Sequence, residues 1–107
     1  MRRLLVLPAL LALAAPAAAW SDLDRMTVSN ALGSLLGSET ACGLAFDQAA
    51  VSRYIDDKVP ADDMQFASML NMMAGGTEAQ IADMSASQKT AHCRQIERAA
   101  KSHGFIK

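Results

Sequence analysis

The chain has 107 residues, of which about the first 19 have the features of an export signal, so 88 remain for the folded product. Those 88 residues carry 8 basic and 11 acidic side chains, a net charge of −3, and 14 of their 40 apolar residues are alanine. Large apolar side chains are therefore few, and we expect a thin core in a single domain. The length excludes a second domain and a nucleotide-binding α/β scaffold, and the charge balance does not favour a nucleic-acid binder.

The N-terminus shows the three parts of a secretory signal. Two arginines precede an apolar run over residues 4–13, and a small-residue segment ends at Ala19. A membrane anchor would need about 20 continuous apolar residues, whereas two prolines interrupt this segment. We expect cleavage after Ala19. Residues 20–107 would then form one exported domain, periplasmic or secreted, that meets a membrane only through its transient signal.

The exported part contains two cysteines, Cys42 and Cys93. In an oxidising compartment an isolated pair most often forms a disulfide. A bond that closes a loop of this length would stabilise the fold by about 4 kcal/mol in the chain-entropy model. A thiol or metal site is the alternative, but the sequence has no C-x-x-C spacing and only two histidines. We therefore expect the Cys42–Cys93 disulfide.

Helical spacing and helix-end signals predict an all-α domain, a small bundle of four to five short helices closed by this disulfide. The first helix begins at Ser21 and ends at Gly37, and its expected inner residues are Val28, Ala31, Leu32, Leu35 and Leu36. The second covers Asp47 to Lys58, before Pro60, and its expected inner residues are Ala50, Val51, Tyr54 and Ile55. A backward extension to Leu44 would place Cys42 on the first turn of the second helix.

The third helix is predicted over residues 61–74. Asp62 and Asp63 favour its start, and Gly75-Gly76 would end it. Its expected inner stripe consists of Phe66, Met69, Leu70 and Met73.

Two capping boxes follow the glycines. Thr77 to Gln80 predicts a short helix, and Ser85 to Gln88 predicts a longer one that continues to His103. Gly104 would be the left-handed cap of the last helix, with a hydrophobic contact from the next residue. The inner face of this helix is expected to hold Cys93, Ile96 and Ala100.

The methionines of the third segment allow three interpretations. Unbranched methionine fills irregular gaps in a core or lines an adaptable contact surface, and its thioether also binds Cu(I). Core packing is the favoured interpretation. The candidate partner-binding residues are Phe66, Met69, Leu70, Met72 and Met73, and copper would use Met69, Met72 or Met73. We expect no resident metal and no cofactor.

Charge is distributed unevenly along the chain: residues 20–84 have a net charge of −7 and residues 85–107 of +4. Arg94, Arg98 and Lys101 form a basic stripe on the last helix. Three charges are too few to specify a nucleic acid or a membrane. We expect them to pair within the protein or its homodimer, and the candidate partners are Asp56, Asp57, Asp62 and Asp63.

Patterns that indicate catalysis are absent from the sequence. It has no Ser/His/Asp signature, phosphate-binding glycine loop or zinc-ligand spacing. His92 adjoins Cys93, but neighbouring side chains on a helix point about 100° apart, and a cysteine in a disulfide is not a nucleophile. We expect no catalytic residue and a protein that is not an enzyme.

Cys42, the segment from Met84 to Cys93 and the basic helix after it resemble the HdeA-type periplasmic acid-stress chaperones, over about Thr40 to Lys101. The resemblance implies a structural role for the disulfide and a neutral-pH dimer that opens in acid and coats unfolding clients. The charge permits such a change, because protonation of the 11 carboxylates and two histidines takes the net charge from −3 to about +10 near pH 2.

These features predict an exported, non-enzymatic helical binding protein of the cell envelope. Its partner would be a protein or an unfolded client. A chaperone-like role in acid or envelope stress is the more specific version of this prediction. The alternatives are a secreted effector that acts on a host or neighbouring cell and a periplasmic copper-binding protein that uses the methionine-rich segment.

Overall fold

The computed structural model describes residues 19–107, so the predicted signal lies outside the described residues except for Ala19. Within this range four helices are joined by turns, and no strand is present. The helices are α1 (Asp22–Leu36), α2 (Gln48–Lys58), α3 (Phe66–Ala82) and α4 (Ala86–Ser102). This architecture confirms the prediction of a small all-α bundle.

Side-chain caps set the start of three helices. The Ser21 hydroxyl accepts the Asp24 N–H at 3.1 Å, and the Asp24 carboxylate accepts the Ser21 N–H in return. Ser85 and Gln88 form the same reciprocal pair at the start of α4. The Asp47 carboxylate accepts two backbone N–H groups of the first turn of α2. Because these bonds join residues two or three positions apart, the sequence predicted all three starts correctly.

The end of α4 is a Schellman motif built on Gly104. Its φ of +74° lies in the left-handed region, which glycine adopts without steric cost. The Gly104 N–H donates to the Lys101 carbonyl at 3.0 Å, and the Phe105 N–H donates to the Ala100 carbonyl at 2.9 Å. Phe105 then folds back into the core and is fully buried. The predicted cap and the hydrophobic contact behind it are both confirmed.

The predicted start of α3 is wrong, because the helix begins at Phe66 rather than at residue 61. The Asp63 N–H donates to the Pro60 carbonyl at 3.1 Å, which closes a turn. One Asp63 carboxylate oxygen then accepts the Gln65 N–H at 3.0 Å. Asp62 and Asp63 therefore belong to a turn before the helix and not to its first turn.

The predicted end of α3 and the capping box at Thr77 are also wrong. The helix continues through Gly75-Gly76 to Ala82, so Thr77 is an interior helical residue. Two glycines weaken a helix by about 1 kcal/mol each relative to alanine. Packing beyond them offsets this cost, since Thr77 lies against Gly37 of the neighbouring chain segment and Ile81 is buried.

Helices α1 and α3 are parallel and lie very close together. Arg25 meets Asp63 near their N-terminal ends, and Gly33 lies opposite Met73 further along. A Cβ atom at Gly33 would be 2.7 Å from the Cβ of Met73, a distance that side chains essentially never show. The absence of a side chain at Gly33 therefore sets the spacing of the two helices. The buried Ser29 hydroxyl, one turn earlier, donates to the Arg25 carbonyl.

The core lies where all four helices meet the segment before α2 and the C-terminal residues. Val28, Leu36, Tyr54 and Ile55 are partly buried around this core, as predicted for inner-face residues. Ala31 is exposed, so its predicted inner position is wrong. The buried cluster consists of Leu32, Leu35, Phe46, Ala50, Val51, Phe66, Leu70, Ile96, Ala100 and Phe105.

The disulfide joins Cys42, in the turn that follows α1, to Cys93 in α4, and the two Cα atoms are 5.3 Å apart. The predicted pairing is therefore confirmed. Helix α2 does not extend backwards to Leu44, so Cys42 is not on its first turn. The connecting segment is held instead by the Glu39 carboxylate, which accepts the Phe46 N–H at 2.6 Å.

Candidate functional site

The methionines of residues 19–107 are excluded from the core, contrary to the favoured sequence interpretation. None of them belongs to the buried cluster or to the partly buried side chains packed against it. Met64 is 84% exposed, Met72 is 65% exposed and Met26 is 50% exposed, while Met69 and Met73 are half-buried. An adaptable contact surface and soft-metal ligation are the interpretations that this placement leaves.

The exposed large apolar side chains of residues 19–107 are concentrated on one pair of helices. Leu23 and Met26 are on α1, Met72 is on α3, and Met64 lies two residues before α3. Met26 precedes Gly33 by seven residues, two helical turns, and so faces the same side of α1 as the glycine that meets α3. We define the methionine surface as Leu23, Met26, Met64, Met69, Met72 and Met73.

Helix α3 contributes almost no charge to this surface. Glu78 is the one charged residue among its 17, and it lies beyond the methionines. By contrast, α4 carries five charged residues in the same length. Removing water from a charged group is costly. An apolar ligand that binds α3 near Met69 and Met72 avoids this cost, because it displaces water from apolar side chains and not from charged groups of the helix.

Two of the predicted partner-binding residues are not at the surface. Phe66 is 4% exposed and Leu70 is 9% exposed, and both belong to the buried cluster. They occupy the side of α3 that faces the core, whereas Met72 faces away from it. Of the five predicted partner-binding residues, only Met69, Met72 and Met73 are therefore available for contact in the folded domain.

The basic stripe is exposed and its nearest acidic group is on its own helix. Glu97 lies between the three cations, 3.3 Å from Lys101 and 3.8 Å from Arg94. Arg98 is also exposed. The expected intramolecular pairing with Asp56, Asp57, Asp62 and Asp63 is not found among the described residues.

Asp63 is the centre of a polar cluster that sequence reasoning did not find. Its side chain is 4% exposed and accepts hydrogen bonds from the Trp20 indole N–H and from Nε of Arg25, the latter at 2.7 Å. With the Gln65 N–H, three donors surround the carboxylate. The hydrogen bond from Arg25 lowers the pKa of Asp63 against the opposing effect of burial, and the bonds from Trp20 and Gln65 lower the pKa further.

A groove beside Trp20 collects further acidic groups. It is lined by Asp24 of α1, by Asp56 and Asp57 at the end of α2, and by Lys58. These carboxylates do not converge: the described part of the chain has no group of three or more His, Cys, Asp or Glu residues placed to hold a metal ion.

Ser38 and His92 form a polar contact beside the disulfide. The Ser38 hydroxyl is 2.8 Å from Nε2 of His92 and 2.6 Å from the Ser34 carbonyl. Ser38 is fully buried, so its oxygen is closed to an external substrate in this conformation. The contact instead fixes the turn after α1 against α4, next to the bond between Cys42 and Cys93.

No family model, curated protein or solved structure matches this chain. The resemblance to HdeA-type chaperones therefore stays a prediction that depends on the layout of the residues. Among residues 19–107, no helix combines the length and the apolar character that crossing a bilayer requires.

Proposed function

We propose that this chain is an exported, non-enzymatic binding protein of the cell envelope that uses the methionine surface to contact apolar segments of unfolded client proteins. The observation that carries the proposal is the distribution of apolar side chains. Among residues 19–107 the core contains no methionine, while Met26 on α1, Met72 on α3 and Met64 just before α3 are at least half exposed. Large apolar side chains that stay exposed and are concentrated in one region of a folded domain are typical of an interaction site.

Methionine suits a site that must accept varied sequences. Its side chain has three rotatable bonds and a polarizable sulfur, so it adapts to ligands of different shape. Covering one exposed methionine fully is worth about 1.5–3 kcal/mol. Two or three such contacts total about 3–9 kcal/mol, which is comparable with the cost of association, so client binding would be weak and transient.

Two further features support an exported client-binding role. The signal pattern of residues 1–19 would deliver the chain to an oxidising compartment, and the Cys42–Cys93 disulfide suits such a compartment. In acid, self-repulsion at a net charge of about +10 would loosen the small core while the disulfide limits the opening. The core residues Phe66 and Leu70 would then add to the methionine surface, and client binding would strengthen.

The proposal is tested by suppression of aggregation of a denatured model enzyme, measured by light scattering at pH 7 and at pH 2–3. We expect the wild type to suppress aggregation, more strongly in acid. The variant Met64→Lys/Met72→Lys should lose at least half of this protection. The matched control Ser52→Lys/Gln95→Lys adds the same charge at exposed positions of α2 and α4 and should keep it.

Absence of protection by the wild type at both pH values would exclude the client-binding function. Equal protection by the wild type and by Met64→Lys/Met72→Lys would exclude the methionine surface as its site. In either case the copper alternative could be examined separately, by Cu(I) titration of the wild type against Met69→Leu/Met72→Leu/Met73→Leu.

A further inference from the structure

The sulfur atoms of the described chain fall into two classes. Both cysteines are committed to the Cys42–Cys93 disulfide and no free cysteine is present in residues 19–107. The remaining sulfurs are thioethers, and those of Met64, Met72 and Met26 belong to side chains that are at least half exposed. In an oxidising compartment, the methionines are therefore the sulfur groups of this domain that remain open to further oxidation.

The consequences of methionine oxidation depend on where the side chain packs. A peroxide transfers one oxygen atom to the thioether: its O–O bond breaks, the sulfur loses two electrons, and hydrogen peroxide leaves as water. The sulfoxide is polar, so it disrupts a core that contains methionine. Here the buried cluster consists of leucine, isoleucine, valine, alanine and phenylalanine, which hydrogen peroxide does not modify under the same conditions.

We propose that Met26, Met64 and Met72 form an oxidation-sensitive modification site, at which peroxide converts the methionine surface from apolar to polar while the helical fold stays intact. The inference rests on the proposed function, because it treats the same surface as the client-binding site. Sulfoxides at Met26, Met64 and Met72 would retain their hydration, and an apolar client would lose its contacts there. Reduction by methionine sulfoxide reductases would restore the thioethers and the binding.

The accessible sulfurs should be oxidised in a definite order. Met64 is the most exposed and should react first, followed by Met72 and then Met26. Met69, Met73 and Met84 are half-buried and should react later. This order distinguishes a surface that reacts in the folded state from methionines that become reactive only when the domain unfolds.

The test treats the mature protein with graded hydrogen peroxide and follows three quantities: peptide masses, far-UV circular dichroism, and suppression of client aggregation. We expect additions of oxygen in the order of exposure, an unchanged helical spectrum, and a loss of protection of about tenfold or more once three sulfoxides are present. Treatment with the reductases should reverse both the masses and the loss. In Met26→Leu/Met64→Leu/Met72→Leu, protection should be the same before and after peroxide, whatever its starting value.

Two results would overturn the inference. One is unfolding in step with the first oxygen additions, since the exposed methionines would then support the fold. The other is full protection by a chain that carries sulfoxides at Met26, Met64 and Met72. Failure of the untreated wild type to protect any client is a separate result, which contradicts the proposed function. The order of oxidation and the helical spectrum do not depend on a client, so they distinguish failure of the proposed function from failure of the oxidation site.

Discussion

Asp63 joins parts of the chain that are far apart in sequence. Its carboxylate binds the indole of Trp20 before α1, the guanidinium of Arg25 within α1, and the backbone of Gln65 before α3. A charged group that is 4% exposed is tolerated because these donors replace the water it has lost. The ion pair with Arg25 therefore fixes the relative position of the N-terminal ends of α1 and α3.

Acid should release this cluster before the domain unfolds as a whole. The pKa of Asp63 is lowered in the folded state, so its stabilising contribution is complete above the ordinary carboxyl pKa of about 3.9 and is lost as the pH falls through the lowered folded value. Trp20 is the single tryptophan of the chain, and its emission reports on the cluster. We expect a red shift of tryptophan emission below pH 4, while far-UV circular dichroism still shows helix.

A pair of neighbouring substitutions separates Asp63 from general acid effects. Asp63→Asn removes the titrating charge and should give red-shifted emission already at pH 7, with a much smaller acid transition. Asp62→Asn changes an exposed neighbour and should leave the wild-type titration in place. Identical titrations for the wild type and Asp63→Asn would contradict the role assigned to this carboxylate.

Sequence reasoning located the local features and missed this long-range one for a physical reason. The caps at Ser21, Asp47 and Ser85 bind groups within three residues, so the pattern that predicts each cap also contains its partner. Asp63 and Arg25 are 38 residues apart, and no spacing rule connects them. The sequence pattern therefore predicts that Asp63 lies at a helix start or pairs with the basic stripe of α4, and not with Arg25.

Among the helices, α3 shows how packing overrides local propensity. Its glycines at positions 75 and 76 are exposed and face open space, so they give the helix no packing. The helix persists because residues on both sides of them contact the rest of the domain. The sequence likewise does not predict that Phe66 is buried while Met72 is exposed, because this difference depends on which face of α3 meets α1 and the core.

Glycine-to-alanine substitutions on α1 and α3 should have opposite effects. Gly33→Ala places a Cβ atom 2.7 Å from the Cβ of Met73 and 3.1 Å from the backbone nitrogen of Ala74, so we expect destabilisation of about 1–3 kcal/mol. Gly75→Ala adds a methyl group with no atom within 4 Å and should stabilise the domain by about 0.5–1 kcal/mol. Urea unfolding of both variants measures the difference in the free energy of unfolding.

The two variants are matched because each adds one methyl group to a helix interior. Their difference therefore measures the close approach of α1 to α3 and not helix propensity. Equal stabilisation by Gly33→Ala and Gly75→Ala would mean that the two helices separate at little cost, and the methionine surface that spans them would then lack a fixed geometry.

The domain as a whole depends on one covalent bond to compensate for its small core. Two of the ten residues in the buried cluster are alanine, and all six methionines of residues 20–107 lie outside it. A domain of this size has about 5–10 kcal/mol of net stability at most, because conformational entropy opposes nearly all of the gain from burial. The disulfide closes the loop between Cys42 and Cys93, 51 positions apart, and should contribute about 4 kcal/mol of that total.

Reduction of the Cys42–Cys93 bond should therefore lower the melting temperature by about 20 °C, measured by circular dichroism with and without a thiol reductant. The double variant Cys42→Ser/Cys93→Ser should melt at the lowered temperature under both conditions, which controls for direct effects of the reductant. The Ser38–His92 contact beside the bond should not replace it, because a hydrogen bond contributes about 1 kcal/mol and does not restrict the unfolded chain. A reduced chain that melts within a few degrees of the oxidised one would show that packing alone holds the four helices together.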